Sequence, residues 1–156
     1  MIKYCMRKWD ENKDKLEAAL RSGTTWNGCR YSDLVKLVVN QILNNSTGDY
    51  DDYHWDAEQI TEIDDGDYQG TLIYLIPLST YQPSEYEYLM TYVGYGSCSG
   101  CDTLLAIQNY DDGSKLDDSQ VRDFMVLCKD IVSSMIKPYN TGWRASEEFD
   151  PLYDCN

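Results

Sequence analysis

Positive charge is scarce in this chain: 13 lysines and arginines stand against 27 aspartates and glutamates, for a net charge of −14. Such a field repels phosphodiester backbones and anionic membranes. It argues against direct binding of nucleic acid and for a basic protein surface as the complement. Long apolar runs are missing too. The longest, "LIYLIPL" from Leu72 to Leu78, falls far short of the roughly 20 residues that a membrane helix needs. The opening "MIKYCMRKWDENK" is charged from Lys3 and has no apolar h-region, which predicts no secretory signal, no membrane partner and a cytoplasmic location. In that compartment the six cysteines read as thiols or ligands before they read as a disulfide framework.

Histidine is nearly absent. His54 stands alone, so no histidine pair builds a metal site or a relay. A Cys–His nucleophile would have to join His54 to a distant cysteine on composition alone. No G-x-S-x-G, H-E-x-x-H or Walker loop occurs. These gaps weigh toward a non-enzymatic role.

What is present suits one domain over residues 1–156, long enough to bury roughly 70% of its unfolded surface. Trp9, Lys13, Leu16 and Leu20 follow helical spacing, with Asp10 at the start and Gly23 past the end. A second helix, capped by Ser32, presents Leu34, Val35, Val38, Val39, Ile42 and Leu43 on one broad face before "NNSTG" stops it. Strands are predicted over Gln59–Ile63, over Thr71–Pro77 as a run buried on both faces, and over Tyr86–Tyr95 with alternating faces. A short helix follows in "DTLLAIQNY". The most regular helix spans Asp118–Ile136, with Asp117 and Gln120 as a capping box and Pro138 as its stop. Residues 139–156 read as a C-terminal tail, either tethered by Trp143 and Phe149 or loose. The order helix, helix, strands, helix, helix predicts an α+β fold: a small antiparallel sheet of about three strands with helices packed on one face.

One stretch, "YVGYGSCSGCDTL" (Tyr92–Leu104), packs three glycines and two cysteines into a strand-to-helix turn. Cys98 and Cys101 have the spacing with which two thiolates bite one zinc ion. A closed site needs four ligands, and no second C-x-x-C supplies them. The same spacing at a helix start suits thiol redox chemistry. A thioredoxin fold is excluded, because only helical pattern follows Cys101, while a reversible Cys98–Cys101 disulfide stays open. Gly94, Gly96 and Gly100 approach the dinucleotide fingerprint, but no βαβ unit surrounds them. The structural reading stands ahead of each of these: glycines allow φ > 0 and close backbone approach at a sharp exit from a strand.

A second stretch is acidic. Between Asp49 and Asp67 lie nine carboxylates and no lysine or arginine. An EF-hand loop started at Asp49 puts Tyr53 and His54 at positions 5 and 6. One started at Asp65 puts Ile76 at position 12, so neither fits. Tyrosines interleave with these acids, and tyrosine beside carboxylate is the texture of a surface that steers and holds a basic partner. The candidate partner-binding residues are Asp49, Asp51, Asp52, Tyr53, Asp64, Asp65, Asp67 and Tyr68. Equally, such a face keeps a protein soluble while tyrosines fill a small core.

The blocks "QITEIDDGDYQGTLIYLIP" (Gln59–Pro77), "TYQPSEYEYLMTYVGYGSCSGCDTL" (Thr80–Leu104), "DFMVLCKDIV" and "YSDLVKLVVNQIL" resemble a family of small acidic proteins of tailed phages and prophages. The resemblance covers most of the chain, and "GYGSCSGCDTL" is its most specific part. It implies a setting and no residue roles: a phage accessory protein inside a bacterial host cell. The expected function is therefore non-enzymatic binding, and inhibition, of a basic host protein that handles nucleic acid, such as a defence factor. The alternative is a zinc or thiol-redox protein centred on Cys98 and Cys101; the first reading requires no cofactor.

Overall fold

The computed structural model describes residues 1–45, 53–109 and 113–138. Four helices and three strands follow in the expected order. They are α1 (Ile2–Ser22), α2 (Tyr31–Val38), β1 (Thr61–Asp64), β2 (Gly70–Pro77), β3 (Tyr88–Tyr95), α3 (Thr103–Ile107) and α4 (Asp118–Ser133). The sheet has the order β1–β2–β3 and is antiparallel throughout. The fold is α+β, with no described helix long and apolar enough to cross a membrane.

Helix α1 starts eight residues before Asp10, from Ile2. Tyr4, Cys5 and Trp9 extend the buried stripe of Leu16 and Leu20 toward the N-terminus, so burial carries the helix through the segment expected to precede it. Lys13 is exposed, and Asn12 holds the buried position beside it. The reason lies in α2, whose apolar face ends in a π turn, Val39–Leu43. A widened turn leaves carbonyls without helical partners, and the Asn12 amide donates to Ile42 O at 3.1 Å and Asn45 O at 3.2 Å. Ser32 is not the cap of α2. The helix begins one residue earlier, and the Arg30 N–H donates to the Asp33 carboxylate at 2.8 Å.

The core lies between the helices and one face of the sheet. Tyr74 and Ile76 of β2, with Leu89, Thr91 and Val93 of β3, meet Phe124, Ile131 and Val132 of α4 and the apolar face of α2. The alternation of β3 is as expected, with Leu89, Thr91 and Val93 inward. Strand β2 departs from expectation: Ile73 and Leu75 are only half-buried, because helices cover one face of the sheet and nothing described covers the other. Helix α4 keeps its Asp117–Gln120 capping box, with Gln120 N–H to Asp117 at 2.8 Å and Asp117 N–H to Gln120 at 3.1 Å. It stops at Ser133, short of Ile136 and of Pro138. Tertiary bonds end it there. The Thr91 hydroxyl donates to Ile131 O at 2.8 Å, and Ile136 pairs with Met90 through two backbone bonds of 2.8 and 2.9 Å. Thr91 thus satisfies one of the carbonyls that a helix end leaves open.

The exchange at Asn12 predicts a specific weakness. Asn12→Ala leaves buried carbonyls at the π turn unpaired and should cost about 2 kcal/mol in urea unfolding, with Lys13→Ala within about 0.5 kcal/mol of wild type.

Candidate functional site

Gly70 pairs with Tyr95, so the β1–β2 turn and the exit from β3 lie side by side at one end of the sheet. The acidic turn and the glycine–cysteine turn are therefore neighbours. A single bond joins them: the Tyr95 hydroxyl donates to Asp64 Oδ1 at 2.7 Å. That bond, ahead of desolvation and the nearby Asp65 and Asp67 charges, pushes the Tyr95 phenol up to about 12.

Asp64 and Asp65 also hold their own turn. Asp64 Oδ1 accepts from Gly66 N–H at 3.0 Å, and Asp65 Oδ1 accepts from Thr71 N–H at 2.6 Å. A side chain at Gly66 would run into the Gln69 carbonyl, which is why the turn needs glycine there. Asp64 and Asp65 stay exposed, yet their oxygens are partly spent on backbone. Asp67 and Tyr68 at the tip are exposed, Tyr68 by 82%. Tyr53 does not join them. The adjacent Trp55 pairs with Leu78, beyond the opposite end of β2, and Tyr53 packs edge-on against Tyr4 with ring centroids 6.2 Å apart. The half-buried ring also packs against Trp55, so the structure places Tyr53 away from the Asp64–Tyr68 turn. Asp49, Asp51 and Asp52 lie outside the described residues, as does the tail 139–156.

The glycine–cysteine turn is organised by one residue that sequence reasoning passed over. Asp102 is 6% exposed. Its Oδ2 accepts from Gly96 N–H at 3.0 Å, and its Oδ1 accepts from Leu105 N–H at 3.0 Å and from the Tyr31 hydroxyl at 3.1 Å. The Tyr31 oxygen in turn accepts from Leu104 N–H at 3.1 Å. One carboxylate thus ties the strand exit to the start of α3 and both to α2. Burial, ahead of the neighbouring carboxylate, pushes Tyr31 up to about 12, so it stays a neutral donor. The signal for Asp102 was present as an aspartate just before a short apolar run, the pattern of an N-cap.

Of the three glycines, Gly96 alone is required by space. A Cβ there would sit 2.5 Å from Cys101 O and 2.6 Å from its Sγ, whereas Gly94 and Gly100 meet nothing closer than 3.9 Å. The expectation that these glycines serve positive φ is corrected: among the described residues only Gly113 has it. Close approach explains Gly96.

Cys98 and Cys101 are both exposed, with their sulfurs 2.7 Å apart. Cys98 N–H donates to Cys101 Sγ at 3.1 Å, and Cys101 N–H donates to Cys98 O at 3.0 Å. The Cys101 thiol, followed by backbone donors, pulls the Cys98 pKa below that of an ordinary thiol. The other described cysteines differ. Cys5 and Cys128 are fully buried and Cys29 is half-buried, and burial pushes Cys5 and Cys29 up to about 12 and Cys128 further still. Cys128 is the core residue that its place on α4 implied. For zinc, Cys98 and Cys101 supply two thiolates, and among the described residues no group of three or more His, Cys, Asp or Glu side chains is placed to hold a metal ion.

No protein-family model, curated protein or solved structure matches this chain.

The glycine analysis makes a graded prediction. Gly96→Ala should destabilise the fold by about 2 kcal/mol in chemical unfolding, while Gly94→Ala and Gly100→Ala stay within about 0.5 kcal/mol. Equal losses at all three would show that backbone freedom, and not the approach of Cys101, sets the requirement.

Proposed function

We propose that this chain is a non-enzymatic, phage-type accessory protein that binds and inhibits a basic host protein in the bacterial cytoplasm. The observation that carries this reading is the lack of any cation in the strands and the loops that join them, whereas helices α1, α2 and α4 carry charges of both signs. No lysine or arginine occurs between Lys36 and Lys115, a span that includes all of β1, β2 and β3 and the loops joining them. Cations belong to the helical layer and its flanks. The sheet side offers Glu62, Asp64, Asp65 and Asp67 at one end and Glu85 and Glu87 at the other. A one-signed surface of this kind speeds encounter with a basic partner and rejects like-charged ones. Carboxylates presented together suit a groove that otherwise receives phosphates, which points to a host factor that handles nucleic acid, with defence nucleases as one class.

Capture of host proteins tests this reading. Wild-type protein should retain basic polypeptides from a bacterial lysate at low salt and release them near 0.5 M salt, as screening predicts. A variant carrying Glu62→Gln, Asp67→Asn and Glu85→Gln spares the acids that brace the turn and should lose most of that retention. Unchanged, salt-insensitive capture by the variant would count against the acidic surface.

A second reading rests on one distance, the 2.7 Å between Cys98 and Cys101 sulfurs. A disulfide spans about 2.05 Å, so closure needs only a small movement of exposed groups. The chemistry would be thiol–disulfide exchange. The Cys98 thiolate attacks a partner's disulfide, and the released sulfur takes up a proton. Cys101 then loses its proton and attacks the mixed disulfide, leaving the partner with two thiols and this chain with one internal bond. Oxidised glutathione serves as a test partner. The expected product has two fewer free thiols and no added glutathione mass, and Cys101→Ser should trap the adduct on Cys98. An adduct that persists in the wild-type protein, or one equivalent of zinc in the purified protein, would defeat the redox reading.

A further inference from the structure

The register sorts the side chains of the sheet onto two faces. Tyr74, Ile76, Leu89, Thr91 and Val93 point into the core. On the other face Ile63 stands opposite Ile73, Ile73 opposite Tyr92, and Leu75 opposite Met90. This outer face is apolar. Ile63 is 45% exposed and Tyr92 50%, with Ile73, Leu75 and Met90 half-buried between them. Ile136 adds a further column, because its bridge to Met90 sets both side chains on the same side, and it is 41% exposed. A face so apolar on the second side of a sheet is the kind of surface that marks an interaction site.

We propose that this outer face docks a basic amphipathic helix contributed by another protein. The proposal rests on the acidic-binder reading and adds where the partner sits and in what form. Dimensions favour a helix. Three strands spaced about 4.8 Å apart make a strip about 10 Å wide, the width of one helix. The eight-residue strands β2 and β3 run about 25 Å, which is about 16 residues of helix, and the four-residue β1 borders part of that length. Charge sets the flanks. The Asp64–Gly70 turn closes one end of the strip with carboxylates, and Glu85 and Glu87 stand in the loop at the other. The basic residue nearest in sequence along the bordering strip is Lys137, beside Ile136. The matching ligand carries an apolar stripe with lysine or arginine toward both ends. A second copy is a poor occupant, since two chains of −14 would bring the same acids together.

The probe is a synthetic 16-residue helical peptide with a leucine stripe and lysines at both ends, followed by fluorescence anisotropy against the full-length protein. A glutamate-for-lysine version and a version of the same composition with a scrambled stripe serve as controls. The lysine peptide should bind at low salt, with both controls at least tenfold weaker. Ile63→Ser with Tyr92→Ser, both exposed positions, should weaken the lysine peptide at least tenfold. Hydrogen exchange on the wild-type protein should show added protection in β1 and β3 when the peptide binds. Equal binding of the scrambled peptide, equal binding to the Ser/Ser variant, or protection confined to the helices would overturn the proposal. A concentration-dependent dimer of the unliganded protein that the Ser/Ser substitutions dissolve would make a second copy the occupant and also overturn it. If lysate capture depends on Glu62, Asp67 and Glu85 while the peptide ignores the Ser/Ser change, the acidic-binder reading survives and the docking face does not. If capture ignores the acids, the reading itself fails.

Discussion

The buried carboxylate of Asp102 is the constraint around which the end of the sheet that carries both turns is arranged. It accepts from Gly96 N–H, Leu105 N–H and the Tyr31 hydroxyl, all between 3.0 and 3.1 Å. A carboxylate taken out of water needs such donors, and charge-assisted bonds to backbone N–H groups are among the stronger ones available. Its three partners come from β3's exit, α3 and α2. Without that link the chain leaving the sheet has no fixed path into α3, and the C-x-x-C turn above it has no fixed shape. Gly96 serves the same purpose from the side of space, by letting Cys101 come close.

The pose of the two turns follows from that arrangement. Because β3 leaves the sheet beside the β1–β2 turn, the Tyr95–Asp64 bond links the exposed acids to the exposed thiols. The acids are thereby divided by use. Asp64 and Asp65 spend oxygens on their own turn, Glu62 stands opposite Tyr74 and interacts with its hydroxyl, and Asp67 is exposed at the tip. Cations are distributed unevenly: the strands and the loops that join them have none, while helices α1, α2 and α4 carry charges of both signs. A layer built this way presents apolar side chains at its middle and carboxylates at its ends.

Much of the fold was legible because it rests on local periodicity. The apolar face of α2, the alternation of β3 and the Asp117 capping box are patterns within a few residues, and each appears where the sequence implied. What was misread depended on distant partners. Asn12 took the place expected for Lys13 because a π turn 30 residues on exposes carbonyls to it. Helix α4 ended early because β3 takes Ile136 as a bridge partner. Ile73 and Leu75 look like a strand covered on both faces, yet nothing in a run of apolar residues says whether a second layer exists to cover it. Pairing of Trp55 with Leu78 sets Tyr53 at the end of the sheet away from Asp64, Asp65 and Asp67, a separation that sequence distance does not show.

By itself the sequence determined the class of fold, the acidity, the gap in cations from residue 37 to 114 and the spacing of the two exposed cysteines, since each is a matter of composition or short-range order. The tertiary structure decided that the three strands inside this gap form one sheet, that the acidic and cysteine turns share an end, and that Asp102 holds the second of them. These are consequences of antiparallel pairing and burial, which bring together residues far apart in the chain and leave no mark on their local neighbours.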